Sequence, residues 1–152
     1  CDTRVSGDAW VSGDAQVFGN AWVFGNARVS GDARVSGDAW VYGDAQVSGD
    51  AWVSGDAQVS GDAWVSGDAW VYGDGLIFWA SKVGSENGTL TVYNTKYNTL
   101  QVTRGCFVGS VDEFLEASER KHDDDTHLEY RLLIEIAHSR ITRARAKLEA
   151  DQ

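Results

Sequence analysis

Tryptophan and arginine recur at a fixed spacing in the first half of the chain. Six of the seven tryptophans and two arginines are separated by multiples of six positions: Trp10, Trp22, Arg28, Arg34, Trp40, Trp52, Trp64 and Trp70. Indole rings contact apolar and planar partners, and guanidinium groups bind the faces of indole rings. Residues of these types therefore suit a binding surface, if the fold turns them outward.

Aspartate forms a second set with the same spacing. Ten Asp and two Asn follow glycines in the first half of the chain, and Asp32, Asp50 and Asp68 are evenly spaced among them. The formal net charge of the chain is -10, and residues 1–76 contain 11 acidic and 3 basic side chains. Such a surface repels nucleic acid and anionic membranes, so we expect neither as a direct partner.

The aspartates have three candidate roles. They suit tight turns, they could bind calcium, and they could present a mimic of a phosphate backbone to a basic protein. Calcium is the least favoured of the three, because the Gly-Asp pairs lack the glycine doublet of the calcium-binding nonapeptide repeat.

All these residues belong to a repeating hexapeptide unit. From Val5 to Leu76 the pattern V-[SFY]-G-[DN]-[AG]-x occurs twelve times without an insertion. Across one junction, residues 9–12 read Ala-Trp-Val-Ser, which is the alternation of a strand with one buried face. We expect alanine and valine to point inward, the other two positions to point outward, and the Gly-Asp or Gly-Asn pairs to form tight corners.

Corners that close a triangle would give coils of three units each, with each valine stacked on the valine three units later. Twelve units make four coils, about 19 Å tall at a strand spacing of about 4.8 Å. The variable positions then form three outward ladders: Trp22, Trp40, Gln58 and Leu76; Trp10, Arg28, Gln46 and Trp64; Gln16, Arg34, Trp52 and Trp70.

Neighbouring rungs of these ladders predict aromatic and cation-π contacts. The predicted pairs are Trp22 with Trp40, Trp52 with Trp70, Arg28 with Trp10, and Arg34 with Trp52. Two interpretations of the ladders remain open. The side chains could brace the sheets as cross-strand pairs, or they could bind another molecule, with a second copy of the chain as the simplest partner and a nucleotide base as a further one.

The units resemble the hexapeptide repeats of left-handed parallel β-helix proteins, a class that includes many acyltransferases. The resemblance covers residues 1–76 and implies a left-handed parallel β-solenoid. The residues that follow, 77–152, predict a small α+β cap, so the expected fold is mainly β. Acyl transfer is the enzymatic alternative, and those enzymes use a histidine of the coils as general base. Residues 1–76 contain no His and no Lys, so we expect no enzymatic activity and no cofactor.

The repeat stops after Gly75, and the remaining sequence predicts three strands and two helices. The strands are expected at residues 77–83, 90–93 and 100–107, with a turn at residues 85–88. Ser110 and Glu113 predict a capping box for a helix that ends near Arg120. Thr126 with Glu129 predicts the start of a longer helix, with one apolar row: Leu128, Leu132, Ile136, Ile141, Ala144 and Leu148.

The segment between the two predicted helices resembles a metal cluster, because residues 122–127 read His-Asp-Asp-Asp-Thr-His. Loop and helix-dipole chemistry explains the carboxylates more simply. Cys1 and Cys106 lie far apart without neighbouring ligands, so no metal site is expected. The second helix is long for so small a cap, and we expect part of its apolar row to pack on another subunit of a homo-oligomer.

The tail also resembles the C-terminal region of hexapeptide-repeat proteins common in phages and prophages. The resemblance rests on residues 77–79, 88–93, 103–107 and 111–114, which read IFW, GTLTVY, TRGCF and VDEF. It implies a phage-encoded accessory or anti-defence protein in the host cytoplasm, which would block a host effector protein or sequester a nucleotide signal. A self-assembling structural scaffold is the alternative.

Overall fold

The computed structural model describes residues 4–73, 76–83, 88–97, 99–104, 107–121 and 124–150. The expected turn at residues 85–87 lies outside the described residues. So do Cys1, Cys106, His122 and Asp123, on which the expectations about metal ligands depended.

Twelve two-residue strands form the first half of the molecule. Each contains one variable residue and the valine that follows it: β1 (Arg4–Val5), β2 (Trp10–Val11), β3 (Gln16–Val17), β4 (Trp22–Val23), β5 (Arg28–Val29), β6 (Arg34–Val35), β7 (Trp40–Val41), β8 (Gln46–Val47), β9 (Trp52–Val53), β10 (Gln58–Val59), β11 (Trp64–Val65) and β12 (Trp70–Val71). They pair in parallel as three sheets, β1-β4-β7-β10 on side A, β2-β5-β8-β11 on side B and β3-β6-β9-β12 on side C. Each strand pairs with the strand three units later, as in Val23 opposite Val41, so the predicted four-coil parallel solenoid is confirmed. Its left-handed winding stays a prediction.

Alanine and valine fill the interior of the solenoid. Every alanine and every valine of the units between Ala21 and Val65 is fully buried, as the alternation predicts. Successive coils also bond through the backbone, for example from Trp22 N to Ala39 O at 2.9 Å. Columns of small apolar side chains and a continuous ladder of hydrogen bonds therefore hold each coil to the next.

The corner glycines are required by the backbone. Gly37 has a φ of 65°, a backbone angle that residues other than glycine rarely adopt. A Cβ atom on Gly37 would also lie 2.9 Å from the backbone nitrogen of Gly55 in the next coil. These two constraints explain why the third position of the unit is always glycine.

The cap contains four antiparallel strands and two helices: β13 (Ile77–Val83), β14 (Gly88–Asn94), β15 (Leu100–Arg104), β16 (Phe107–Ser110), α1 (Val111–Lys121) and α2 (Asp124–Ala150). The prediction of one strand over residues 100–107 is wrong, because Phe107 begins a separate strand that pairs with Arg104 of β15. The capping box is confirmed. The Ser110 N–H donates to Glu113 Oε1 at 3.3 Å, and the Glu113 N–H donates to Ser110 Oγ at 3.2 Å.

Helix α2 differs from its prediction in two respects. It begins at Asp124, so the expected start at Thr126 is wrong. The row predicted to be one apolar face is divided between two sides of the helix. Of the predicted row, Ile141 is buried and Ala144 is half-buried, whereas Leu128, Leu132 and Ile136 are about half exposed. The buried row consists instead of Tyr130, Ile134, Ala137 and Ile141. Helix α2 packs against β13, β14 and α1 through the buried row.

Strand β14 and its neighbours cover the last coil of the solenoid. The Tyr93 hydroxyl donates to Ser66 O at 3.1 Å and lies 3.3 Å from Ser66 N, whose N–H it accepts. The Thr91 hydroxyl accepts the Trp64 N–H at 3.2 Å. The Thr103 hydroxyl donates to Trp64 O at 2.7 Å. Side chains of the cap thus provide the hydrogen bonds that a further coil would otherwise make.

Leu76 corrects one expected ladder. The residue was predicted to be the last outward rung after Gln58, but its side chain is fully buried. The unit pattern no longer applies at this position, because the next residue, Ile77, begins the antiparallel strand β13. Side A therefore consists of four rungs that begin with Arg4, which pairs with Trp22.

Candidate binding surfaces of the solenoid

Side A carries a group of four aromatic side chains that touch one another. This group, here called the aromatic cluster, consists of Trp22, Phe24, Trp40 and Tyr42. Trp22 and Trp40 begin β4 and β7, and Phe24 and Tyr42 directly follow those strands. The rings of Phe24 and Tyr42 are stacked, with centroids 5.0 Å apart and planes 3° apart. Trp22 and Trp40 are neighbours as predicted, but their rings meet edge to face at 5.4 Å and 74°. The four rings form one continuous surface over two coils.

Polar side chains border the aromatic cluster above and below. The guanidinium carbon of Arg4 lies 5.6 Å from the centroid of the Trp22 ring. On the other side, the Tyr42 hydroxyl lies 3.5 Å from Gln58 Oε1. An apolar centre with a polar rim is the usual composition of a protein interface.

Trp22 and Trp40 are among the candidate residues that the six-residue spacing predicts, whereas Phe24 and Tyr42 are not. A signal for them was present in the sequence. Residues 22–24 read Trp-Val-Phe and residues 40–42 read Trp-Val-Tyr, so that two adjacent coils carry aromatic residues at both outward positions. Because these triplets are three units apart, the stack places all four rings together.

Side C carries a smaller aromatic pair. Trp52 and Trp70 are stacked as predicted, with centroids 6.2 Å apart and planes 23° apart. Arg34 lies 6.0 Å from the Trp52 ring centroid, which matches the predicted cation-π geometry. Trp70 is only partly exposed and also contacts Tyr72 at 5.0 Å. Phe18 follows β3 on the same side and is 44% exposed, but it lies two coils away from Trp52. The aromatic side chains of side C are therefore divided along the solenoid.

The two tryptophans of side B lie at opposite ends of the solenoid. Trp10 is 60% exposed, and Arg28 lies 5.9 Å from its ring centroid. Trp64 is half buried, and its backbone contacts Thr91 and Thr103 of the cap. The structure therefore does not bring these two tryptophans together.

Some indole groups also link successive coils. The Nε1–H groups of three tryptophans donate to serine hydroxyls of the preceding coil: Trp22 to Ser6 at 3.2 Å, Trp52 to Ser36 at 3.3 Å and Trp64 to Ser48 at 3.3 Å. These bonds use the edge of the ring and leave the ring face available. Bracing and binding are thus compatible uses of the same side chain.

The acidic ladders form the corners of the coils. Asp32 and Asp50 are exposed, whereas Asp68 forms an ion pair with Lys96 of the cap at 3.1 Å. The hydrogen bond to Asp68 raises the pKa of Lys96 above its usual value. On two other corners Asn20 and Asn26 donate to the aspartates of the next coil. Within the described part of the chain, no three His, Cys, Asp or Glu side chains come close enough to hold a metal ion.

His127 connects the two helices of the cap. Its Nδ1 atom lies 3.1 Å from Ser118 Oγ on α1. The histidine of α2 that the sequence placed beside an acidic segment therefore packs in a helix–helix contact. Among the described helices, none is both long and apolar enough to cross a membrane.

The fold defines a class of protein, a capped parallel β-solenoid with aromatic outer faces. A family model described as the YdcK beta solenoid repeat matches residues 27–43 and 57–73. Both matches begin at the alanine of a unit and end at the glycine of a later one. The chain is similar to that repeat over these two stretches, which together span well under half of its length. Searches of curated proteins and of solved structures gave no significant match.

Proposed function

We propose that the protein is a non-enzymatic binding scaffold whose aromatic cluster on side A contacts a partner. The observation that supports this most is the continuity of the cluster: its four rings touch one another, Trp40 is 38% exposed, and the other three rings are half-buried. Contiguous exposed aromatic side chains are typical of contact sites, and Trp and Tyr contribute a large share of binding energy in protein interfaces.

A macromolecular partner suits this surface better than a nucleotide. A base is bound by stacking on one accessible ring face, whereas the rings of the cluster cover two coils and present edges as well as faces. The resemblance of the tail to phage and prophage proteins supplies the finer hypothesis, a phage-encoded anti-defence protein in the host cytoplasm that blocks a host effector protein. Sequestration of a nucleotide signal is the second form of that hypothesis.

A structural scaffold is the alternative to a specific binder. The stack of coils and the matches to a solenoid repeat are consistent with it. An enzyme similar to the hexapeptide acyltransferases has less support, because that chemistry requires a general base and residues 1–76 contain neither His nor Lys.

The test compares two matched double variants. Trp22→Ser/Trp40→Ser removes the indoles of side A, and Trp52→Ser/Trp70→Ser removes those of side C. Each pair contains one tryptophan that bonds to a serine of the preceding coil, so both should lower stability by a similar amount, about 1–2 kcal/mol. Partners captured from host lysate are identified and purified. Each partner is then titrated against the unaltered protein and the two double variants. We expect the side A variant alone to lose at least tenfold in affinity.

Salt distinguishes the aromatic cluster from the acidic corners. Binding through the cluster should change little as the Debye length falls from about 10 Å to about 3 Å, because the contact is mainly apolar. Binding through the ladders of Asp32, Asp50 and Asp68 should weaken steeply. Loss of binding with the side C variant, or a steep salt dependence with no effect of the side A variant, would contradict the proposal. Native mass spectrometry of the purified protein would reveal a bound nucleotide.

A further inference from the structure

Helix α2 has an apolar row that faces away from the molecule. Leu128, Leu132 and Ile136 are spaced four positions apart and therefore lie along one side of the helix. They are 49%, 52% and 49% exposed, respectively. The opposite side of the helix already supplies the residues that pack on the cap. The outer row thus has no role in holding α2 to its own sheet.

A shallow groove runs beside this row. It is lined by Leu132, Glu135, Ile136, Ser139, Arg140 and Arg143. The N-terminal side of the groove is apolar and acidic, and the C-terminal side is basic. A partner must therefore offer apolar side chains together with charges of both signs.

The charges of α2 are divided along its length. Most of the exposed acidic side chains of α2 lie in its first half: Asp124, Asp125, Glu129 and Glu135. Most of its exposed basic side chains lie in its second half: Arg140, Arg143 and Lys147. Arg131 and Glu149 are the exceptions. A second copy of α2 in antiparallel orientation presents its basic half to the acidic half of the first. With a two-fold axis near Ile136, Glu129 lies opposite Arg143 and Asp125 lies opposite Lys147. A parallel pair would instead bring like charges together.

We infer that the outer face of α2 forms an antiparallel homodimer with α2 of a second copy. About the two-fold axis the two Ile136 side chains meet each other, and Leu132 lies opposite Arg140, whose methylene groups can cover it. A two-fold axis of this kind closes the dimer. The helix has 27 residues and is about 40 Å long. One face of a helix about 10 Å wide offers on the order of 400 Å², less than the roughly 800 Å² per partner of a standard interface. The dimer should therefore form at micromolar or higher concentration. This inference does not depend on the aromatic cluster.

Sedimentation equilibrium over a range of concentrations tests the dimer. The apparent mass of the full chain should rise from 16.5 kDa towards twice that value. Ile136→Glu should shift the midpoint at least tenfold to higher concentration, because two carboxylates then meet at the two-fold axis, and should leave the circular dichroism spectrum unchanged because the residue is half exposed. Tyr97→Ser removes another exposed hydrophobic side chain of the cap and should have no effect. The side A variant Trp22→Ser/Trp40→Ser should dimerise normally.

Charge reversal tests the orientation. Arg143→Glu alone and Glu129→Arg alone each place like charges opposite one another and should weaken self-association. A mixture of the two single variants should form a heterodimer. In it, residue 129 of each copy and residue 143 of the other copy have opposite charges. The double variant should recover self-association. A chain that remains monomeric at several hundred micromolar, or a dimer unaffected by Ile136→Glu, would overturn the proposal. Dimerisation without rescue in the mixture would exclude the antiparallel arrangement.

Discussion

At the scale of single residues, the direction of a side chain decides whether a substitution is tolerated. Val47 is fully buried in the central column of the solenoid, whereas its neighbour Gln46 in the same strand is exposed. The two residues differ by one position in a strand and so point to opposite faces.

Val47→Asp should therefore unfold the coils, whereas Gln46→Asp should not. The first variant buries a carboxylate without a partner and should lower the free energy of unfolding by more than about 3 kcal/mol. The second should change it by less than about 0.5 kcal/mol. Urea denaturation followed by circular dichroism measures both. Similar values for the two variants would show that the inward and outward positions are wrongly assigned.

At the scale of elements, strand β14 contributes a buried tyrosine hydroxyl to the closure of the solenoid. Tyr93 is fully buried and bonds to both backbone groups of Ser66, which is itself 7% exposed. Burial raises the pKa of the Tyr93 hydroxyl above 10.0, while the hydrogen bonds to Ser66 partly lower it. The folded protein therefore keeps this proton at a pH where the unfolded chain releases it.

Tyr93→Phe should lower the free energy of unfolding by about 1–3 kcal/mol, because the Ser66 backbone groups lose a buried partner. In the unaltered protein, the stabilisation from Tyr93 is complete below about pH 10 and falls as pH rises further, since the unfolded state then binds fewer protons. Denaturation at about pH 8 and above pH 10 should show a smaller alkaline loss in the variant. Equal losses in both proteins would mean that Tyr93 does not contribute to the pH dependence.

At the scale of the whole molecule, the solenoid depends on its cap because each coil is stable only when the next one covers it. The contacts of Thr91, Tyr93 and Thr103 replace the coil that would follow Trp64 and Ser66. Without them, the last coil would expose unpaired backbone groups and an open apolar column.

A chain that ends at Asp74 should consequently aggregate or stack into fibres, because an open strand edge pairs readily with another chain. Light scattering after size-exclusion chromatography should show large species, whereas the full chain at the same concentration elutes as monomer or dimer. A soluble and monodisperse fragment would mean that the cap is not needed to close the edge.

The solenoid could be predicted from the amino-acid pattern alone, because its contacts repeat. Val and Gly recur in all twelve hexapeptide units and Ala in eleven of them, so one unit specifies the inward positions, the corners and the stacking of residues three units apart. The same arithmetic predicted the neighbours Trp52 and Trp70 and the cation-π pairs of Arg28 and Arg34. Nearest-neighbour interactions of this kind can be deduced from a local pattern.

The burial of residues where the repeat meets the cap follows only from tertiary contacts. These contacts bury Leu76 and half-bury Trp64, and they divide the apolar residues of α2 between a packed side and an open side marked by Leu132 and Ile136. These outcomes depend on contacts between residues that lie far apart in the chain. The repeat does not predict such contacts, because the residues are not a fixed number of units apart. A helix with apolar residues on two sides satisfies the same spacing whichever side packs on the sheet, and the choice is made by the shape of the surface that receives it.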